Sequence, residues 1–212
     1  MDVLAELEKV GAVFTGKHFV YASGKHGSGY INMDIMFPQV GLVSELCKDL
    51  IAPFVGEFDV VAAPATGGIE LGVLSALAAG TPGVWADKDG DGGFIFERAG
   101  FIEQVKGKHV LVVEDLLTTG GSVEKVCREV EKVGGTVVGV SVVCNRGGVT
   151  AEQLGVPTLT ALATVNFTAS DEVDCEACAA GEPIVEDMGH GDDYKKSHPD
   201  YMGGYVKLQK EL

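Results

Sequence analysis

Two carboxylates followed by hydroxyls and glycines form the stretch of this chain with the most chemistry in it. In Val110-Leu111-Val112-Val113-Glu114-Asp115-Leu116-Leu117-Thr118-Thr119-Gly120-Gly121-Ser122, an apolar run leads into an acidic pair and then a Thr/Gly/Ser loop. The run reads as a buried strand and the loop as the opening of a helix over Val123 to Val133. Glycines let backbone N–H groups approach an anion, and a helix N-terminus adds partial positive charge. The Thr118, Thr119 and Ser122 hydroxyls supply further donors, so the loop is a candidate phosphate cradle. Paired carboxylates beside it suit sugar hydroxyls or a hydrated magnesium ion. The Gly-Lys-Ser/Thr of a Walker A loop and the G-x-G-x-x-G of a dinucleotide fingerprint are both missing.

Two other spacings invite a metal. Cys175-x-x-Cys178 has the spacing of half a zinc site or of a redox pair. There is no second Cys pair, and His190 and His198 are not spaced as in a zinc finger. Asp174 and Glu176 flank the thiols and oppose their ionisation, so an ordinary turn is the expectation here. Asp87, Asp89, Asp91 and Gly92 imitate the start of a calcium loop, but Arg98 stands at the twelfth position, where such a loop needs Glu. That segment is expected to be a flexible lid.

The elements that must position these residues follow a repeated grammar of apolar run, glycine-rich turn and helix. Val60 to Ala63 precedes Pro64-Ala65-Thr66-Gly67-Gly68 and a helix over Ile69 to Ala79. Gly83 to Ala86, Val110 to Val113, Thr136 to Val143 and Thr158 to Ala163 are further expected strands. Unbroken Val-rich runs alternating with helices predict an α/β fold, a parallel sheet covered on both faces. Ligands of such sheets bind beyond the carboxyl ends of the strands, where both glycine-rich turns fall. Before this core, Asp2 to Val10 reads as an amphipathic helix, and His18 to Tyr21 and Tyr30 to Met36 as strands joined by the Ser23 to Gly29 turn. Pro38 is expected to open a helix reaching about Val55. From about Asp171 the chain becomes an acidic tail.

The chain carries 16 Lys and Arg against 31 Asp and Glu, a formal charge of -15. That balance argues against nucleic-acid and anionic-membrane partners, because the global field repels phosphate. A phosphorylated ligand must be held by local N–H groups, a few placed cations or a metal ion. No signal peptide or membrane span is expected, and five cysteines, an odd number, suit a reducing cytoplasm.

Glu114 through Ser122 resembles the phosphoribosyl pyrophosphate (PRPP) signature of type I phosphoribosyltransferases: two acidic residues, then Thr-Thr-Gly-Gly-Ser, after a hydrophobic strand. Further segments resemble the orotate branch of that family. His18 to His26 followed by Tyr30-Ile31-Asn32 is similar to its N-terminal substrate-recognition segment. Cys144-Asn145-Arg146-Gly147-Gly148 is similar to the strand end where the branch has an Asp-Arg pair. Glu97-Arg98-Ala99-Gly100-Phe101 is similar to a Leu-Arg-Arg-Gly-Phe stretch of a shorter-loop group. The likeness runs from about Gly16 to Pro183.

The resemblance implies a type I phosphoribosyltransferase-like fold: a central parallel sheet, helices on both faces and a small N-terminal hood. It implies one domain over 1–212, with a base-recognition segment at 1–37, a PRPP-binding core at 59–170 and a tail at 171–212. It also implies transfer of the phosphoribosyl group from PRPP to orotate, with Mg2+ carried by PRPP and lying near Glu114 and Asp115. Glu114 and Asp115 would hold the ribose hydroxyls, Thr118, Thr119, Gly120, Gly121 and Ser122 would bind the 5-phosphate, and Leu116 and Leu117 would complete the PRPP-binding stretch. Ala65, Thr66 and Gly67 would face pyrophosphate. Arg146, with Lys25 and the edge of Thr118, would take orotate. The family's mobile Arg-Lys-x-x-Lys-x-His-Gly loop is replaced by Ala86-Asp87-Lys88-Asp89-Gly90-Asp91-Gly92-Gly93-Phe94, so Lys88 is assigned to the departing pyrophosphate. A cytoplasmic homodimer is implied, since the family's lid reaches a neighbouring subunit. The alternatives are a phosphoribosyltransferase for a purine or another base, which would need neither Arg146 nor the N-terminal segment, and a PRPP-sensing regulator, which would ordinarily need a basic face.

Overall fold

The computed structural model describes residues 1–208; the last four residues of the expected tail, 209–212, lie outside the described residues. The helices are α1 (Val3–Lys9), α2 (Val40–Ile51), α3 (Ile69–Ala79), α4 (Phe101–Val105), α5 (Gly121–Lys132), α6 (Ala151–Leu154), α7 (Glu176–Ala179) and α8 (Gly191–Ser197). The strands are β1 (Val13–Val20), β2 (His26–Ile31), β3 (Val60–Pro64), β4 (Gly83–Lys88), β5 (Phe94–Ile95), β6 (His109–Leu117), β7 (Thr136–Asn145), β8 (Leu159–Thr164), β9 (Ala169–Ser170), β10 (Ile184–Val185) and β11 (Tyr205–Val206). The chain divides into two compact units. One joins Met1–Val10 to Met33–Asn166, and the other joins Gly11–Asn32 to the chain from Phe167 onward.

The first unit is built on a six-stranded sheet of order β5-β4-β3-β6-β7-β8. Its strands are parallel apart from β5, which runs antiparallel to β4. The Val-rich runs form its centre because each is buried on both faces, and side chains alternate between those faces. Val110 and Val112 pack in one cluster with Val123, Val126, Cys127 and Val130. Those last four recur at i, i+3, i+4 and i+7, the buried stripe of the otherwise polar α5. On the other face of β3, Ala63 meets α3, and a Cβ added at Gly72 would lie 2.9 Å from that of Ala63. The Asp2 carboxylate caps α1 by accepting from the Ala5 N–H at 3.2 Å. Among the described residues no helix is long and apolar enough to cross a membrane.

The second unit has a five-stranded sheet of order β11-β10-β1-β2-β9. The structure keeps the expected strand, turn, strand order and shifts its bounds. The glycine-rich stretch is largely strand, with β2 starting at His26 and ending at Ile31, and a 3-10 turn taking Met33–Ile35. The reason is packing. A Cβ at Gly27 would lie 2.3 Å from the Tyr21 hydroxyl, and one at Gly29 would lie 2.3 Å from the Phe167 ring. The glycines make room for rings, and the Tyr21 hydroxyl donates to the Gly29 carbonyl at 2.6 Å. Residues 11–32 and the tail form one unit because β1 pairs with β10 and β2 with β9.

Candidate functional site

Four neighbouring strands of the first unit deliver the expected site residues at their carboxyl ends. Pro64 to Gly68 follows β3, Lys88 closes β4, Glu114 to Ser122 runs from β6 into α5, and Arg146 follows β7. β3 and β6 are adjacent, while β4 and β7 lie on their outer sides. The strand order therefore reverses between β3 and β6, which is where α/β sheets open a crevice for ligands.

Glu114 and Asp115 stand at that reversal. Glu114 is only 7% exposed. Burial holds its carboxyl well above the usual carboxylate range, the charge of Asp115 adds to this, and nearby Lys88 offsets part of it. Asp115 is also raised, chiefly by burial, with the Asp34 carboxylate contributing. The acids are oriented by the backbone: the Asp115 N–H donates to Glu114 Oε1 at 3.0 Å and the Leu116 N–H to Asp115 Oδ1 at 2.5 Å. Two packed acids whose ionised forms are disfavoured gain from any ligand that brings hydroxyl donors or positive charge.

The turn after β3 presses against the same carboxylates. A Cβ at Gly67 would come within 3.0 Å of Asp115 Oδ2, and one at Gly68 within 3.1 Å of Glu114 Oε1 and 2.9 Å of the Pro64 carbonyl. The Ala65–Thr66 peptide is cis. The Ala65 N–H, expected to face pyrophosphate, instead donates to the Ala86 carbonyl at 2.8 Å, and that of Gly68 to the Pro64 carbonyl at 3.2 Å. Thr66 and Gly67 remain as the donors of this turn.

At the mouth of α5, Leu116 to Val123 together with Glu114 enclose a cavity of about 50 Å3. Gly120 caps the helix at φ +83° without a side-chain hydrogen bond. The first N–H groups of α5 therefore lack both an intrahelical partner and a cap, which fits an anion. Arg146 is held beside this loop by backbone contacts. The N–H groups of Arg146 and Gly147 both donate to the Leu117 carbonyl, at 2.8 and 3.2 Å. The approach is so close that a Cβ at Gly147 would lie 1.7 Å from the Thr118 carbonyl oxygen. Asn145, buried where the family has Asp, clamps the following turn: its amide donates to the Val149 carbonyl at 2.8 Å and accepts from the Val149 N–H at 3.1 Å. Burial pushes the Cys144 thiol up to about 11, while Arg146 pulls it down and Asp115 raises it, so both charges act on this strand end.

The segment expected to be a lid folds as a short hairpin. Asp87 and Lys88 pair with Ile95 and Phe94, and Asp89 Oδ1 accepts from the N–H groups of Asp91 and Gly93 at 3.0 and 2.5 Å. Lys125 reaches from α5 to the Gly92 carbonyl at 2.6 Å. Arg98 is committed to Asp87 through two contacts of 3.0 and 3.2 Å and lies 4.9 Å above the Trp85 ring. Lys88 is exposed and is the cation that acts on Glu114. Sequence reasoning left Asp34 unmarked and assigned Asn145 no role of its own: Asp34 sits in a 3-10 turn far along the chain, and the clamp made by Asn145 depends on a fold-back contact.

Lys25 belongs to the second unit, where its ammonium lies 3.6 Å from the exposed Asp171 carboxylate. Cys175 and Cys178 are also there. The histidines beside them are His18 and His26, whereas His190 contacts Asp193 at 3.2 Å and His198 stacks on Tyr194.

Comparison with known proteins agrees with this geometry. Residues 40–166 match the model of the phosphoribosyl transferase domain. A relative named orotate phosphoribosyltransferase from Pelotomaculum thermopropionicum is 38% identical, covering 87% of this chain and 95% of its own length. One of the same name from Thermus thermophilus is 34% identical over 88% of this chain and 100% of its own. Among solved structures, an orotate phosphoribosyltransferase from Aeropyrum pernix superposes with a TM-score of 0.59 at 28% identity, over 77% of this chain and 94% of that one. An adenine phosphoribosyltransferase from Rhodothermus marinus, 20% identical with a TM-score of 0.56, shares the fold. The chain belongs to the phosphoribosyltransferase family and, within it, to the orotate phosphoribosyltransferases.

Proposed function

We propose that this chain transfers the 5-phosphoribosyl group from PRPP to N1 of orotate, giving orotidine 5′-monophosphate and pyrophosphate on the route to UMP. The observation that carries the reading is the meeting of the buried Glu114–Asp115 pair with two glycine turns and Arg146 at one sheet reversal. The bond from C1′ to pyrophosphate breaks, N1 of orotate supplies the electron pair of the new bond, and the N1 proton leaves to solvent. As the ribose gains oxocarbenium character, Glu114 and Asp115 hold its hydroxyls and stabilise the developing charge. Thr118 to Ser122 wrap the 5-phosphate at the start of α5, while Thr66, Gly67 and Lys88 face the leaving pyrophosphate. Arg146 takes the orotate carboxylate, for which a planar guanidinium is suited.

Glu114 and Asp115, whose oxygens are costly to keep ionised without a cation, would hold a Mg2+ ion carried by PRPP, which would supply charge neutralisation of the diphosphate. We expect a homodimer in a reducing cytoplasm, in keeping with the five free cysteines.

The test is pyrophosphate release from PRPP with a panel of bases, followed by Arg146→Ala. Turnover is expected with orotate and to disappear with chelator. Arg146→Ala is expected to weaken orotate by roughly 10²-fold or more, the loss of a charged hydrogen-bonded pair, and PRPP far less. Turnover only with adenine, guanine, xanthine or uracil, binding of PRPP without turnover, or equal losses for both substrates would reject the assignment.

A further inference from the structure

In the second unit, four side chains that the transfer reaction does not use converge on one point. His18 Nε2, His26 Nδ1 and the sulfurs of Cys175 and Cys178 all lie within 4.8 Å of one another. The individual separations are 2.8 Å between the two nitrogens, 3.5 and 3.7 Å from His18 Nε2 to the sulfurs of Cys175 and Cys178, and 3.3 Å from His26 Nδ1 to that of Cys178. A tetrahedral zinc ion with bonds of about 2.05 Å to nitrogen and about 2.3 Å to sulfur requires edges of about 3.3 Å between nitrogens and about 3.6 Å between nitrogen and sulfur. The three nitrogen–sulfur edges given match to within about 0.3 Å, the edges from the Cys175 sulfur to His26 Nδ1 and to the Cys178 sulfur lie within 4.8 Å, and the nitrogens need to part by about half an ångström.

We propose that His18, His26, Cys175 and Cys178 form a structural zinc site that fastens the β1–β2 hairpin to the C-terminal segment. Three features beyond spacing support it. His18 Nδ1 lies 3.1 Å from the Glu182 carbonyl, and donating there leaves Nε2 bare and aimed into the cluster, the outer-shell arrangement of metal-bound histidines. His18 and His26 are 1% exposed and Cys175 6%; two thiolates and two neutral imidazoles around Zn2+ carry no net charge, so the filled site can be buried without an unpaired ion. The surrounding unit is also poor in regular structure, its last three strands having two residues each and α7 four, and units of this size commonly need a staple beyond their apolar core. Nitrogen and thiolate donors in tetrahedral array select zinc over oxygen-preferring cations. A cavity of about 670 Å3 bordered by His26, Gly27, Cys175 and Glu176 gives the ion a way in.

Binding replaces the two thiol protons, which leave to solvent, with two Zn–S bonds, and no electron is transferred. The site is independent of the transfer reaction, so its test reads metal and not turnover. Full-length protein without a histidine tag, purified from zinc-containing medium, is expected to hold one zinc per chain. X-ray absorption on that wild-type protein should give a first shell of two sulfurs at about 2.3 Å and two nitrogens at about 2.0–2.1 Å. Exchange with cobalt should give a thiolate-to-cobalt charge-transfer band that Cys175→Ser and Cys178→Ser each reduce by about half, that the double variant Cys175→Ser/Cys178→Ser abolishes, and that Cys127→Ser keeps. A folded wild-type chain without zinc, a metal shell lacking sulfur, a Cys175–Cys178 disulfide in the purified protein, or a band that keeps its full intensity in the double variant Cys175→Ser/Cys178→Ser would each overturn the proposal.

Discussion

Replacing Gly147 by Ala tests whether the Arg146 strand end and the phosphate loop work as one piece. The added Cβ would sit 1.7 Å from the Thr118 carbonyl oxygen, a backbone atom that cannot swing aside. Ordinary contact is about 3.2 Å, so the two segments must part by roughly 1.5 Å. The same displacement breaks or stretches the hydrogen bonds from the Arg146 and Gly147 N–H groups to the Leu117 carbonyl, now 2.8 and 3.2 Å. Overpacking costs about 1–3 kcal/mol and each lost hydrogen bond about 1 kcal/mol, a total of about 3–5 kcal/mol. At roughly 2–4 °C per kcal/mol for a chain of this length, Tm should fall by about 10 °C. Because displacements near 1 Å in a positioned site cost on the order of 10²-fold, kcat/KM should fall at least that much, for PRPP as well as orotate. The assays are thermal unfolding and initial rates with each substrate varied in turn. Gly41→Ala, on the exposed side of α2 with nothing within 4 Å of its Cβ, is the control; it should leave rates unchanged and Tm equal or slightly higher. Gly147→Ala with wild-type Tm and rates would refute the close coupling of these segments.

Glu114→Gln should separate stability from activity. A carboxyl raised in the folded state binds more protons folded than unfolded, so its contribution is lost as pH rises from the unfolded value through the folded one. Glu114→Gln should therefore raise Tm at pH 8 by a few degrees, with the gain shrinking as the pH falls towards 4.5, while turnover drops on the order of 10²-fold. A lower Tm at pH 8 would reverse the sign of the argument. Lys88→Met should reduce kcat by about tenfold or more with little change in Tm, since Lys88 is exposed; steady-state kinetics with unchanged kcat would remove it from the reaction. Gly29→Ala should destabilise the second unit by about 1–3 kcal/mol, because its Cβ meets the Phe167 ring at 2.3 Å; amide exchange in β1 and β2 as slow as in wild type would contradict that packing.

The strand-to-helix turns after β6 and β3 were legible because the signals that form them are local. A strand, an acid pair, hydroxyls, glycines and a helix start follow one another within a dozen residues, and the helix expected over Ile69 to Ala79 is α3 to the residue. The hairpin at 87–95 was not legible because glycines and acids suggest an irregular loop, whereas Asp89 closes its own turn and Lys125 reaches it from α5. Ala65 illustrates the same gap: a turn residue was expected to offer its N–H, and the neighbouring strand takes it.

Sequence alone determined the α/β class and the parallel core, and put the acid pair and both glycine turns at strand ends, because helix and strand periods and turn chemistry depend on neighbours along the chain. Tertiary structure decided which distant groups meet. Asp34 reaches the electrostatic surroundings of Asp115. Cys175 and Cys178 find His18 and His26 across 157 and 152 positions; no spacing rule spans that distance, and only the pairing of β1 with β10 and β2 with β9 brings those segments into one sheet.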